Sequence, residues 1–194
     1  MKYMESGGFQ NHPLMRLTIS LTLLLLLGFW VTNLVLYLSK MGLSPESVVT
    51  YYNGSEEEFL PPRTVGSMLE VTHAHLAMMA MVLLLLTHLV IFSPFGKGLK
   101  LFFVWATFGA AVASESGGWL VRFVSPSLAP IKIGGFFALE ALLGILLVVV
   151  AWTLWGGSSF NGHNGRGMVR EILASKPADE EERLVSVGSK ESSH

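Results

Sequence analysis

The residues with the most chemistry to offer are three histidines inside one apolar stretch, "LEVTHAHLAMMAMVLLLLTHLVIF" at 69–92: His73, His75 and His88. An imidazole in hydrocarbon is costly unless it binds a ligand, pairs with a partner or faces a cavity, so an ionisable residue in such a run is read first as functional. At about 100° and about 1.5 Å per helical residue, His73 and His88 fall about 60° apart in azimuth and about 22 Å apart along the axis. They stand towards opposite ends of the run on roughly one side. His75 lies about 200° round from His73 and looks at different neighbours. Packing and hydrogen bonding is the plain alternative for the pair; ligation is the reading that the cost of burial favours.

A second constellation is acidic. Glu115 and Glu140 sit in later apolar runs, each roughly two and a half turns from the same end of the bundle and close to the depth of His73 and His75. Glu115, Trp119 and Arg122 share a helical face at i, i+4 and i+7, so a Glu115–Arg122 pair snorkelling towards water is the plain account of that carboxylate. Glu140, in "FFALEALLGILLVVV", has no such local partner. Two carboxylates and two imidazoles (His73, His75, Glu115, Glu140) would suit non-haem iron, zinc or manganese. The Glu-x-x-His motif of di-metal bundles occurs once, at Glu70–His73, without its usual second copy, which weakens that reading. Alternatively Glu115 and Glu140 act as proton acceptors, the catalytic role open to them.

The elements that must position these residues are membrane helices. The chain has 194 residues, is 51% hydrophobic and only 14% charged, with a mean hydropathy of +0.53, outside the range of ordinary soluble domains. Four apolar runs, at about 14–39, 68–93, 99–124 and 131–156, are each long enough for the roughly 20 residues that span a bilayer. The expected fold is an all-α polytopic membrane protein, a four-transmembrane-helix bundle. A polar lead at 1–13 precedes the membrane domain at 14–156, and a polar tail at 157–194 follows it. The first run has no cleavage site after it and is read as a signal anchor.

The loop 42–67 carries its own local structure: Ser44 as N-cap, Pro45 at the first helical position and an Asn53-Gly54 turn predict a short surface helix. "SMLE" at 67–70 reads as a capping box opening the second span. Gly109, Ala110, Ala113, Gly117 and Gly118 form a small-residue face for close packing. Lys2, Arg16, Lys97, Lys100, Arg166 and Arg170 place both termini in the cytoplasm, with 42–67 outside. Zero cysteines exclude disulfides, thiolate metal sites and iron–sulfur clusters, and a net charge of −1 gives no argument for nucleic acid.

The His73/His88 spacing resembles the haem-bearing helices of the cytochrome b family, in which one membrane helix offers two histidines to two b haems stacked across the bilayer. The resemblance covers the second span alone and implies one or two haem b groups, with His73 and His88 on iron. Two parallel helices each supply a pair in that family; here one helix supplies half the ligands. The other half would come from a homodimer mate, another membrane subunit, or a methionine among Met78, Met79 and Met81, for which packing is the plainer role. Arg122 would then suit a haem propionate or quinone oxygen, and His75 the neighbouring carboxylates. As a whole, the chain looks like small four-helix inner-membrane proteins of bacteria without an assigned role. The expectation is a haem b protein moving electrons between the quinone pool and a redox partner, an electron-transfer subunit rather than a stand-alone enzyme. A Glu/His metal protein comes second and a non-catalytic scaffold subunit third.

Overall fold

The computed structural model describes residues 13–156; the expected lead before Pro13 and the tail at 157–194 lie outside the described residues. Five α-helices follow one another: α1 (Pro13–Met41), α2 (Pro45–Asn53), α3 (Val65–Ile91), α4 (Lys97–Phe123) and, after a 3-10 turn at Pro126–Leu128, α5 (Ala129–Gly156). By length and composition, α1, α3 and the segment Pro126–Gly156 are apolar enough to cross a membrane. α4 matches them in length at 27 residues, but its apolar run is broken by Thr107, Ser114, Glu115 and Ser116. The reason is visible in its packing. Thr107, Ala111, Ser114, Gly117, Gly118 and Val121 recur every three or four residues and are buried, so its small and polar positions face its neighbours.

α1 is the most open helix, with Leu23 and Tyr37 its only buried residues. Its hydroxyls bond back to the preceding turn, Thr18 to the Leu14 carbonyl and Thr22 to that of Thr18, each at 2.9 Å. A hydroxyl satisfied within its own helix can face lipid without an orphan donor. Ile19, Leu23, Leu26 and Trp30 join α1 to a core of Leu83, Leu86, Val90, Leu143, Leu146 and Val150 from α3 and α5.

Lipid is as apolar as leucine, so helices in a membrane associate through close packing. Here the closeness comes from glycine. A Cβ on Gly117 would lie 2.7 Å from the Lys132 Cα, and one on Gly135 2.6 Å from the Ser114 nitrogen, so α4 and α5 touch backbone to backbone at two points.

The short surface helix forms as its caps dictate. The Ser44 side chain accepts from the Ser47 amide, Pro45 takes the first turn, and Ser47 Oγ donates to the Met41 carbonyl at the end of α1. α2 ends at Gly54, whose φ of 78° and nearness to the Leu60 carbonyl leave no room for a side chain. The chain then doubles back through a Ser55–Leu60 pairing, and the Arg63 amide donates to the Tyr52 carbonyl at 2.9 Å. α3 starts earlier than the capping-box reading places it. Thr64 is the N-cap, accepting from the Ser67 amide at 3.2 Å, so Ser67 sits at the third helical position and Glu70 lies too deep to reach back. Val48, Tyr52, Met68, Val121 and Ala129 form a second, smaller core where α2 covers one end of the bundle.

Candidate functional site

Beneath α2, three helices bring polar groups together. Thr72 and His75 lie one turn apart on α3; Glu115 and Trp119 lie one turn apart on α4. The Thr72 hydroxyl donates to Glu115 Oε1 at 2.6 Å and accepts from Trp119 Nε1 at 2.9 Å, using both its roles. His75 Nδ1 stands 3.1 Å from Glu115 Oε2. Both carboxylate oxygens are thus engaged. The Glu115 side chain is 14% exposed and that of His75 51%, so the acid sits inside and the imidazole at the opening. With Nδ1–H donated to the carboxylate, Nε2 is the nitrogen left open.

Lys132, at the end of the first turn of α5, is buried. Its ammonium donates to the Ser114 carbonyl at 2.8 Å and attracts Glu115 electrostatically. Tyr52 of α2 presses its phenol against Gly118, where a Cβ would lie 2.6 Å from the hydroxyl oxygen. Burial, with smaller help from Tyr51 and Glu115, pushes the Tyr52 hydroxyl above the ordinary phenol range. The Arg63 guanidinium lies 4.5 Å from the centre of the Tyr51 ring and closes the top.

The cavity among these groups measures about 80 Å³. Small-molecule sites run to roughly 300–1,000 Å³, whereas a water in the liquid occupies about 30 Å³. The polar chamber is therefore sized for a few waters and is too small for an organic cofactor.

The other sequence-selected residues are placed elsewhere. His73 and His88 are both exposed on α3; His88 meets Phe92 edge-on, with ring centres 5.3 Å apart. Glu140 does not join Glu115. It is buried between α1 and α5, where Asn33 Nδ2 donates to its Oε1 and Trp30 Nε1 donates to its backbone carbonyl at 2.8 Å. Its Oε2 is buried without a partner among the described residues, as is the hydroxyl of Tyr37, whose ring stacks on Phe136 at 3.8 Å.

The expected Glu115–Arg122 pair is not made. Arg122 Nε donates instead to the Arg63 carbonyl at 3.0 Å, tying α4 to the loop before α3, and its guanidinium lies over Phe123. Among the described residues no group of three or more His, Asp and Glu is close enough to hold a metal ion. The four-residue set His73, His75, Glu115 and Glu140 is therefore not assembled: His73 and His75 diverge around α3, and Glu140 faces α1. Met78 and Met81 are exposed and Met79 packs on the core.

Sequence reasoning passed over Thr72, Tyr52, Arg63, Lys132, Asn33 and Trp30. Two of them carried a usable signal. Thr72 is one turn before His75 on the same face, and Asn33 is a polar residue inside a span, open to the same argument as the histidines.

No curated protein and no solved structure matches this chain. A family model described as a transmembrane helical domain, Aq_1264_TM, matches residues 42–160, more than half of the chain. That stretch holds α2 to α5 and every residue of the Thr72–His75–Glu115–Trp119–Lys132 cluster, while Trp30 and Asn33 lie outside it. The chain is a membrane protein and belongs to the Aq_1264_TM family of transmembrane helical domains.

Proposed function

We propose that this protein is a membrane-embedded electron-transfer subunit that holds b haem on the open face of α3 and works between the quinone pool and a redox partner, paired with a second copy or another subunit. One observation carries the reading: His73 and His88 both stand exposed on the same helix, and neither has a hydrogen-bond partner among the described residues. A helix of 27 residues is about 40 Å long and the hydrocarbon about 30 Å thick. His73, eight residues in from Val65, then lies inside the hydrocarbon and His88 at its border. Bare imidazole there is costly, so something must cover that face.

The donor set fits haem. Neutral imidazoles are good axial ligands, and at about 22 Å the two belong to different irons, each needing its second ligand from the covering partner. Haem would supply one-electron storage. His75, on another side of α3, is the residue placed to take a proton from a quinol hydroxyl at Nε2, with Glu115 steadying the imidazolium through Nδ1. With this reading goes a bacterial inner-membrane protein of four spans, both termini cytoplasmic and α2 outside, for which the Lys and Arg residues flanking the spans are the support.

The test is an oxidised-versus-reduced optical spectrum of the purified protein from haem-replete cells. The expected result is b-type Soret and α bands, one component lost in His73→Ala and another in His88→Ala, with both kept in His75→Ala. A colourless protein overturns the haem reading. Metal analysis of that colourless protein then separates a His75–Glu115 metal site from a scaffold role.

A further inference from the structure

Above the small chamber, separated from it by Arg63 and Tyr51, opens a larger cavity of about 610 Å³, inside the roughly 300–1,000 Å³ of ligand sites. Lys40, Thr50, Tyr51, Glu58 and Arg63 line it. We propose that this cavity binds the phosphodiester headgroup of a membrane lipid, Arg63 and Lys40 taking the phosphate and Glu58 the headgroup's ammonium or hydroxyl.

Charge and its lack of internal partners come first. None of Lys40, Glu58 and Arg63 forms an ion pair among the described residues, and the Arg63 side chain donates no hydrogen bond there. Yet Arg63 is held firmly. Its guanidinium stacks on Tyr51, its amide donates to the Tyr52 carbonyl, and its own carbonyl accepts from Arg122. A positioned guanidinium with its donor fork unspent suits a phosphate oxygen pair. Glu58 leaves the cavity only one positive charge in excess, which favours a headgroup carrying a donor of its own over a bare anion.

Depth comes second. Lys40 lies in the last turn of α1 and Thr64 caps α3, so the cavity sits where two membrane-length helices meet water, at headgroup level. Phe59, next to Glu58, is 92% exposed. An apolar ring so bare beside a cavity at headgroup level suits contact with the lipid interface, and a soluble phosphate would have no use for it. The proposal is independent of haem.

The experiment is native mass spectrometry of delipidated full-length protein titrated with phosphatylethanolamine, phosphatidylglycerol, phosphatidylcholine or inorganic phosphate. Phosphatidylethanolamine and phosphatidylglycerol are expected to remain bound one per protomer in preference to phosphatidylcholine. Arg63→Gln should weaken both about tenfold, the equivalent of 1.4 kcal/mol. Lys40→Gln should weaken both in the same direction, and because Lys40 is exposed and makes no side-chain bond among the described residues, its effect does not come from misfolding. Glu58→Gln should weaken phosphatidylethanolamine selectively. Equal retention of phosphatidylcholine, binding unchanged in both cation variants, or displacement of the lipid by millimolar phosphate would each overturn the lipid assignment.

Discussion

At the scale of single residues, Thr72 does more than its size suggests. It is the one hydroxyl that joins Trp119 to Glu115, and Glu115 in turn aims His75. Thr72→Val keeps the shape and removes both bonds, leaving an indole N–H and a carboxylate oxygen short of partners. The expected loss is about 1–3 kcal/mol for each group left unsatisfied, read as a lower midpoint of unfolding in detergent. Thr72→Ser, which keeps the hydroxyl, should restore most of it. Tyr52 gives a prediction in pH. Its phenol is neutral in the fold and pushed above the ordinary value by burial, so it costs nothing below about pH 10, where free tyrosine is neutral too. Above that, the unfolded chain ionises first and stability falls. Tyr52→Phe should lessen this alkaline loss, which thermal melts from pH 8 to 11 would show; a wild-type profile no steeper than the variant's would mean that the phenol is not buried. The sequence made the His75-versus-His73 divergence legible because helical period alone sets it. It hid Lys132, since a lysine near the start of a span looks like an interfacial flank, and burial depended on where α4 happened to present the Ser114 carbonyl.

At the scale of elements, caps and turns were the readable part. Ser44, Pro45 and Gly54 act locally, and α2 forms between them. For α3 the capping box at Ser67–Glu70 was the local signal, and the structure caps the helix one turn earlier, at Thr64. Long-range structure chose: with the Arg63 amide fixed to Tyr52, the helix starts at once behind it. The small-residue face of α4 was also readable, although a Cβ on Gly109 would meet nothing within 4 Å while Gly117 sets a helix crossing. The partner glycine, Gly135, gives the sharper test. Its site faces backbone rather than a movable side chain, so Gly135→Val must part α4 from α5. The expected cost is at least the 1–3 kcal/mol usual for overpacking, together with weakened Lys132 contact with Ser114. Gly134→Val, one residue away with open space around it, should be nearly neutral by the same melting assay. Equal effects at the two positions would mean that the helices do not cross there.

At the scale of the whole molecule, the number of membrane crossings follows from where the helices begin. Met68 near the start of α3 and Ala129 at the start of α5 lie in the same small core under α2. α3 and α5 therefore start at one end of the bundle and run the same way, and α4, joined to each by a short turn, must return between them. If α3 and α5 cross the bilayer, α4 crosses it too, even though its own composition falls short of the other three. The composition of α4 is less apolar because it spends its polar and small residues on neighbours rather than on lipid; the expectation of four spans rested on the length of its apolar run. The chain has no cysteine, so single-cysteine variants report sidedness without background. Pro94→Cys, in the turn between α3 and α4, should react with a membrane-impermeant thiol reagent from one side of sealed vesicles. Ser127→Cys, in the turn between α4 and α5, and Glu57→Cys, in the loop after α2, should both react from the other. If Pro94→Cys and Ser127→Cys were labelled from the same side, α4 would not span, and the face holding Glu115 would lie along the membrane surface rather than inside it.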